Sequence, residues 1–402
     1  MNHRLFVTSD FRAGLASFDR VEIPVDCRSA GKSTPKPPLK RNLRARQPMI
    51  GRQTNPILDR KIRIGVVGCG RISRNHFRAI EDLADDLEIV GVCDTDPKRM
   101  EQDFIPADAP RFDLLPELLE RSEPDVVAIC TPSGMHPRQT IETAEAGVHV
   151  MTEKPMATRW RDGLRMVEAC DKANVRLFVV KQNRFNATLQ LLRRAINEER
   201  FGRIYLATVN VFWTRPQSYY DTDRWRGTWE LDGGAFMNQA SHYIDLLDWM
   251  LGSVDQVHAM TATLARDIEV EDSGVMNVRW RNGTLGSVAV TMLAYPKNYE
   301  GSLTILGEKG TVRIGGVAVN EIQTWDFEDE KPYDAEVRSA NYETTSVYGF
   351  GHPAYYRNVI DVLRGKTEPA TDGREGLKSL EVLIAAYLSA RDGRAISLPL
   401  EY

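Results

Sequence analysis

The chain has 402 residues, 42% of them hydrophobic and 27% charged, with a formal net charge of -4. At about 100–200 residues per domain, this length predicts two globular domains or one large one, and the ordinary composition excludes a fibrous repeat or a disulfide-stapled miniprotein. No stretch approaches the ~18 consecutive apolar residues of a membrane span, so no membrane partner is expected.

The five cysteines (27, 69, 93, 130 and 170) are widely spaced and contain no C-x-x-C pair. That pattern predicts reduced thiols in a cytoplasmic setting, with no disulfide framework. No His/Asp/Glu cluster with ligand spacing appears along the chain, so no metal is expected. Charge is uneven. Residues 1–60 hold 12 Lys and Arg against 5 Asp and Glu, a net +7, which leaves the rest at -11 given the total of -4. An acidic body argues against nucleic acid as a partner.

Residues 1–60 show neither helical nor strand periodicity, and 28–48 (RSAGKSTPKPPLKRNLRARQP) is basic and Pro-rich. Such a segment buries too little apolar surface to offset its ordering entropy. It is expected to be a disordered extension, or to follow an upstream start codon with the functional protein beginning near Met49. No apolar run follows Met1, so no secretory signal is expected.

From Lys61 the pattern sharpens. KIRIGVV reads as a strand, Gly68-Cys69-Gly70-Arg71-Ile72-Ser73 follows, and a helical pattern runs through Ala84. Glycine at 68 suits a tight turn and glycine at 70 lets backbone approach a pyrophosphate. The opening helix offers free N–H groups and its positive dipole end to the phosphates. A second strand, Glu88–Cys93, ends at Asp94. An acidic residue there accepts hydrogen bonds from ribose hydroxyls and repels a 2′-phosphate, which favours NAD over NADP. The alternation continues through VVAIC, a helix over 136–146, VHVMT, a helix over 158–173 and RLFVVKQN. Strands alternating with helices predict a parallel, doubly wound Rossmann sheet over 61–183, with ligands at the strands' carboxyl ends. Thr131, Lys154 and Asn183 lie at such ends.

Lys154 stands between a strand end and Pro155, and a residue before proline is held extended, so the chain leaves the sheet in a fixed direction. Further on, Gly233-Gly234 precedes a segment in which Asn238, His242 and Asp245 fall at i, i+4 and i+7, expected on one helix face. Between Val211 and Trp229 lie Trp213, Trp225 and Trp229, with Phe212, Tyr219 and Tyr220, interleaved with Arg215, Arg224 and Arg226. Arginine binds phosphate and carboxylate bidentately, and aromatic faces suit uracil or pyranose rings. Beyond about residue 200, runs such as RIYLATVNVFW, VDQVHAMTATLA, GVMNVRW, TLGSVAVTML and GSLTILGEKGTVRIG read as antiparallel strands. Two helices, about 352–364 and 374–391, close the chain, the second expected to pack back on the first domain. The fold class is thus an α/β Rossmann domain plus an α+β domain (184–402) with a large open antiparallel sheet, whose uncovered apolar face predicts a homo-oligomer.

G-x-G near the start, Glu153-Lys154-Pro155, and G-G-A followed by His242 and Asp245 together resemble the glucose–fructose oxidoreductase and inositol dehydrogenase (Gfo/Idh/MocA) family. The resemblance covers about 61–402. KQNRFNATLQLLRRAI, VFWTRPQSYYD, WRGTWELDGGAFMNQASHYIDLLDW and YETTSVYGFGHP look most like the bacterial UDP-N-acetyl-2-amino-2-deoxyglucuronate 3-dehydrogenases. That resemblance implies NAD-dependent oxidation of the sugar's 3-hydroxyl in surface-polysaccharide (O-antigen) synthesis, NADH reoxidised by 2-oxoglutarate, and dimers or tetramers through the C-terminal sheet. It implies Lys154 and His242 as catalytic residues, either of which could take the proton. Many relatives carry an aspartate where this chain has Asn238, and an amide cannot take a proton.

The cofactor contacts expected on this reading are Gly68, Gly70, Arg71, Ile72, Asp94, Thr131, Pro132, His136, Glu153, Lys154 and Gln182. The substrate contacts expected are Lys154, Arg184, Tyr219, Trp225, Arg226, Asn238 and His242. Rival readings are a dehydrogenase of a free sugar, inositol or another nucleotide sugar, which would not need the arginines of 215–226, and a non-catalytic NAD-binding regulator.

Overall fold

Six short runs rich in Val, Ile and Leu make the first sheet: β1 Ile62–Val67, β2 Leu87–Cys93, β3 Arg111–Phe112, β4 Val126–Ile129, β5 His149–Thr152 and β6 Leu177–Val179. The computed structural model describes residues 56–344, 347 and 349–401. The expectations for residues 1–55, Cys27 and Met49 among them, lie outside the described residues. All pairings in this sheet are parallel, in the order β3-β2-β1-β4-β5-β6. The interleaved helices are α1 Ser73–Asp82, α2 Leu115–Ser122, α3 His136–Glu145 and α4 Trp160–Ala173. Strand order reverses between β1 and β4, so the crevice for a ligand opens beyond their carboxyl ends.

The Rossmann reading holds, with differences at its edges. β3 is only two residues long, too short for its alternation to show. β6 stops at Val179 rather than running to Asn183. There the Val179 N–H donates to the Thr371 carbonyl at 3.0 Å and the Thr371 hydroxyl donates back to Val179 at 2.8 Å, so a later segment takes over the strand's partners. A 3₁₀ turn over Gln182–Phe185 then leads into α5, Ala187–Asn197.

The second layer begins with β7 Ile204–Phe212, α6 Gln217–Asp221 and α7 Ser241–Leu251. It continues through β8 Val254–Ala262, β9 Ser273–Trp280, β10 Leu285–Thr291, β11 Glu300–Gly307, β12 Gly310–Gly315 and β13 Glu321–Phe327. After α8, Val337–Ala340, come α9 His352–Leu363, α10 Gly373–Asp392 and β14 Ile396–Ser397. The eight strands order as β13-β12-β11-β7-β10-β9-β8-β14. The sheet is mixed, not wholly antiparallel: β7 and β10 pair in parallel because β8 and β9 are laid down outside β10 before the chain returns beside β7.

One core lies between this sheet and α5, α7 and α10, and joins the α4 side of the first sheet. The other gathers the opposite face of the first sheet with α1 and α9. α10 therefore touches α4 and β6 on one side and α7 and β8 on the other. α9 also packs on α1, so two late helices clamp the first domain. Asp372 caps α10 by accepting the Glu375 N–H at 2.8 Å, a start signal legible in the sequence. Among the described residues no helix is long and apolar enough to cross a membrane.

Candidate active site

At the switch point, Gly68 adopts φ +90°, and a Cβ there would stand 2.8 Å from the backbone of Cys130 and Thr131. Only glycine lets β1 turn against the end of β4. Beside Gly70 the space is open, with the tip of Arg99 3.7 Å from where a Cβ would be. Ile72 opens α1 without any side-chain cap, so its first N–H groups are left for an anion. The Asp94 carboxylate accepts the Cys69 N–H at 2.8 Å and the Asp96 N–H at 2.9 Å, which fixes it at the end of β2. Capping of the next turn falls to Asp96, not Asp94. An uncapped helix start, a glycine turn and an anchored carboxylate fit a dinucleotide with a free 2′-hydroxyl.

Some expected cofactor residues play other parts. Thr131 donates its hydroxyl to Gln139 at 2.5 Å, and Pro132 begins the short turn that leads to α3. His136 is buried, with its ring nitrogens 3.0 Å from the Pro155 carbonyl and 2.9 Å from that of Thr131. It braces two strand-end turns against each other and presents no free nitrogen to a ligand. Glu153 is buried too. One oxygen meets His76 at 3.0 Å and the other accepts the Lys154 N–H at 3.1 Å. Burial would raise this carboxyl, but the imidazoles of His352 and His76 outweigh it and hold it well below the usual range.

His76, Glu153 and His352 place ligand-capable atoms within 4.8 Å of one another. This corrects the expectation, drawn from spacing along the chain, that no such cluster forms. The His76–Glu153 bond and the Tyr356 hydroxyl 2.8 Å from His76 Nδ1 make it a hydrogen-bonded brace beneath Lys154.

Lys154, in the half-buried rim of the cleft, sets its Nζ 3.2 Å from the Asn238 carbonyl and 3.5 Å from Asn238 Oδ1. Burial lowers its pKa, offset in part by Glu153 and Asp232. Asn238 does not lie on α7 as the i, i+4, i+7 spacing suggested. It belongs to a π-helical turn, Ala235–Gln239, that precedes the helix and lets Asn238 face Lys154. Gly234 is required here, since a Cβ would overlap the Glu271 carboxylate. His242 opens onto the same site from α7, its Nε2 3.3 Å from the Gln182 amide nitrogen. Its Nδ1 and the Gln182 oxygen are buried without a hydrogen-bond partner. Orphaned polar atoms cost about 1–3 kcal/mol each, so this pair points to a partner supplied by a ligand. Burial, then Lys154 and Lys181, hold His242 well below its ordinary pKa.

The aromatic segment divides in two. Trp213 and Tyr220 are core residues, and Trp229 packs edge-on against Tyr387. Tyr219 and Trp225 instead form an exposed-edge cluster with arginines. Arg226 lies 4.4 Å from the Tyr219 ring and 4.5 Å from that of Trp225, with Arg215 and Arg71 5.3 and 5.5 Å from Tyr219. Arg71, expected at the cofactor, thus shares the Tyr219 ring with Arg226, both of the latter expected at the substrate. Arg224 is exposed.

Arg184 was expected at the substrate, and the structure gives its guanidinium protein partners. It is buried, clasping Asp245 at 2.8 and 2.7 Å and reaching Glu375 at 3.1 Å, so its fork is already filled. Sequence reasoning missed Asp232, which is buried and accepts the Asn238 amide N–H. Its only signal was an acid set directly before the Gly233-Gly234 pair.

Two family profiles match the chain: "Oxidoreductase family, NAD-binding Rossmann fold" over residues 62–181 and "Oxidoreductase family, C-terminal alpha/beta domain" over 193–398. The WlbA dehydrogenase from Bordetella pertussis, solved in complex with NADH and UDP-GlcNAcA, is 64% identical with a TM-score of 0.84, covering 86% of this chain and 100% of that one. The corresponding dehydrogenase from Chromobacterium violaceum, in the same kind of complex, is 62% identical with a TM-score of 0.83 over 88% and 100%. The D-apiose dehydrogenase of Paraburkholderia graminis is 28% identical over 83% of this chain and 88% of its own length. With both profiles matched in order and relatives above 60% identity along the whole folded body, the chain belongs to the Gfo/Idh/MocA oxidoreductase family and carries its NAD-binding Rossmann domain.

Proposed function

We propose that this chain is an NAD-dependent dehydrogenase of UDP-N-acetylglucosaminuronate that oxidises the sugar's 3-hydroxyl to a ketone. The observation that carries the reading is its likeness, over nearly all the described residues, to two dehydrogenases solved with NADH and UDP-GlcNAcA. Bound NAD⁺ supplies the hydride acceptor, held by the turn at Gly68 and Gly70, the start of α1 and Asp94.

The chain's own residues then manage the proton. Removing hydride from carbon requires the hydroxyl to lose its proton, so a base must stand beside it. Lys154 fits that part. As a neutral amine it donates its two N–H bonds to Asn238 O and Oδ1 and keeps its lone pair for the substrate hydroxyl. The O–H bond breaks, the proton joins Nζ, and the ammonium is left facing the polar cage of Asn238. His242, which burial and its lysine neighbours hold below its ordinary pKa, orients the sugar by hydrogen bonding. Arg226 and Arg215, stacked on Tyr219 and Trp225, receive the diphosphate and the uracil.

Leu206, Met260, Val275 and Leu285 lie exposed on the open face of the second sheet, which supports a homo-oligomer, dimer or tetramer, through that face. A cytoplasmic enzyme of O-antigen sugar synthesis, with NADH recycled by 2-oxoglutarate, completes the proposal.

The test is mass spectrometry of UDP-N-acetylglucosaminuronate incubated with the purified protein, with and without 2-oxoglutarate. The expected product lacks two hydrogens, and carbon NMR places the new carbonyl at C3. Unchanged substrate under both conditions, with NADH binding confirmed, overturns the substrate assignment.

A further inference from the structure

This chain presents Asn238 to Lys154, and behind Asn238 stands the carboxylate of Asp232. Asp232 is 1% exposed. One of its oxygens accepts the Gly227 N–H at 2.7 Å and the other accepts the Asn238 side-chain N–H. An amide held by its nitrogen has one orientation, with its oxygen on the opposite side. That oxygen faces Lys154 Nζ at 3.5 Å.

We infer that Asp232 is the positioning carboxylate of this site: it locks the Asn238 amide with its oxygen toward Lys154 and, through that amide, sets how readily the lysine holds a proton. The inference rests on Lys154 being the proton acceptor in the function proposed above. A hydrogen bond from Asn238 to a carboxylate polarises the amide and makes its oxygen a better acceptor for the ammonium that forms. The negative charge is thereby kept one contact away from Lys154. In direct contact it would raise the lysine's pKa further; at one remove it steadies the ammonium to a smaller degree.

The charged groups that bear on Lys154 are Glu153 and Asp232, which favour its ammonium, and Lys181 and Arg215, which oppose it. Those that bear on Asp232 include Arg226 and Lys154, with Glu271 behind it. Burial raises the Asp232 carboxyl to about 6, against which the Gly227 and Asn238 hydrogen bonds act. Among the described residues no cation forms an ion pair with the Asp232 carboxylate, and buried carboxylates held by hydrogen bonds alone are costly and gather at functional sites.

The test reads Lys154 directly. Trace acetylation with acetic anhydride, followed by peptide mass spectrometry across pH, gives the midpoint at which Lys154 becomes a free amine, with no substrate present. Asp232→Asn removes the charge at constant shape and is expected to lower the midpoint by about one pH unit. Asn238→Asp brings the charge into contact and should raise it by about as much. The double exchange, Asp232→Asn with Asn238→Asp, should raise the midpoint as Asn238→Asp alone does, because the charge then sits in contact with Lys154.

NADH binding serves as the check on folding. If Asp232→Asn fails that check, Asn238→Ala breaks the same link from the other end and should also lower the midpoint. An unmoved midpoint in a variant that binds NADH overturns the inference. Inactivity of the wild type on UDP-N-acetylglucosaminuronate would instead strike the substrate assignment, because the labelling does not depend on it.

Discussion

Arg184 and Asp245 form a two-pronged ion pair in the protein interior, Nε to Oδ2 at 2.8 Å and Nη2 to Oδ1 at 2.7 Å, and Lys181 reaches the same carboxylate at 3.5 Å. Burial alone would raise Asp245, but Arg184 and Lys181 hold it below the ordinary carboxylate range. The pair ties the turn after β6 to α7, the helix that carries His242. Asp245→Ala leaves Arg184 with Glu375 alone and Lys181 with only the Ser379 hydroxyl, and is expected to cost about 2–4 kcal/mol of stability. Urea unfolding with NADH absent measures it. A loss below about 1 kcal/mol would mean that water reaches the cluster.

Glu271 predicts how stability depends on pH. Burial raises its carboxyl from the ordinary 4.5 to about 7, although Phe236 N–H and the Tyr387 hydroxyl both bond its Oε1. A carboxyl raised on folding favours the folded state most when protonated. Its contribution is therefore fully present below pH 4.5 and is lost as pH rises to about 7. At about 1.4 kcal/mol per unit, the loss approaches ~3 kcal/mol. Glu271→Gln keeps an oxygen for both donors and removes the titration. The variant should exceed the wild type in stability at pH 8 by about 1–3 kcal/mol, with the margin shrinking toward pH 5. A margin that is the same at both pH values contradicts the assignment.

The parts of the site that depend on local chain geometry were legible in the sequence, and the parts that depend on pairing were not. Gly68, Asp94 and Lys154 are each set by a strand end, and strand ends show as a β-branched run meeting Gly, Asp or Pro. Arg184 follows a strand, as the sequence suggested, but its partner Asp245 lies 61 residues further on, beyond the reach of spacing arguments. Asn238 was placed on α7 because a period of 3.6 residues was assumed; the π-helical turn breaks that period one residue before the helix begins. The brace of His76, Glu153 and His352 unites three distant stretches of chain, so only the fold reveals it. For the second sheet, alternation identified the strands but not the parallel pairing of β7 with β10, since pairing partners leave no mark on a strand's own sequence.

On the function proposed above, Asp94 is expected to govern the choice of dinucleotide. Two backbone N–H groups fix its carboxylate, so it cannot swing aside from a 2′-phosphate. Asp94→Ala removes both the acceptor for the ribose hydroxyls and the repulsion. Hydrogen bonds to a charged group are worth about 1.5–3 kcal/mol, which predicts a rise of ~10- to 100-fold in KM for NAD. The preference for NAD over NADP should fall at the same time. Initial rates with each dinucleotide measure both effects, and an unchanged preference would move the discrimination to Lys98 or Arg99.

Replacing Arg226 tests whether the substrate is a sugar nucleotide or a free sugar. Its guanidinium lies against both Tyr219 and Trp225, donates to the Tyr219 hydroxyl at 2.6 Å and pairs with Asp223 at 3.2 Å. Asp223 in turn holds Arg99 of the first domain at 2.7 Å, so the arginine sits in a cluster that spans both domains. A diphosphate bound here would gain one or two charge-assisted hydrogen bonds, each worth about 1.5–3 kcal/mol. Arg226→Ala is therefore expected to raise KM for UDP-N-acetylglucosaminuronate by at least ~10-fold with a smaller change in kcat, because the lost contact binds substrate and transition state alike. Steady-state rates at fixed saturating NAD and 2-oxoglutarate read the effect. Unchanged KM would mean that the diphosphate lies elsewhere, and would favour a dehydrogenase whose substrate carries no phosphate.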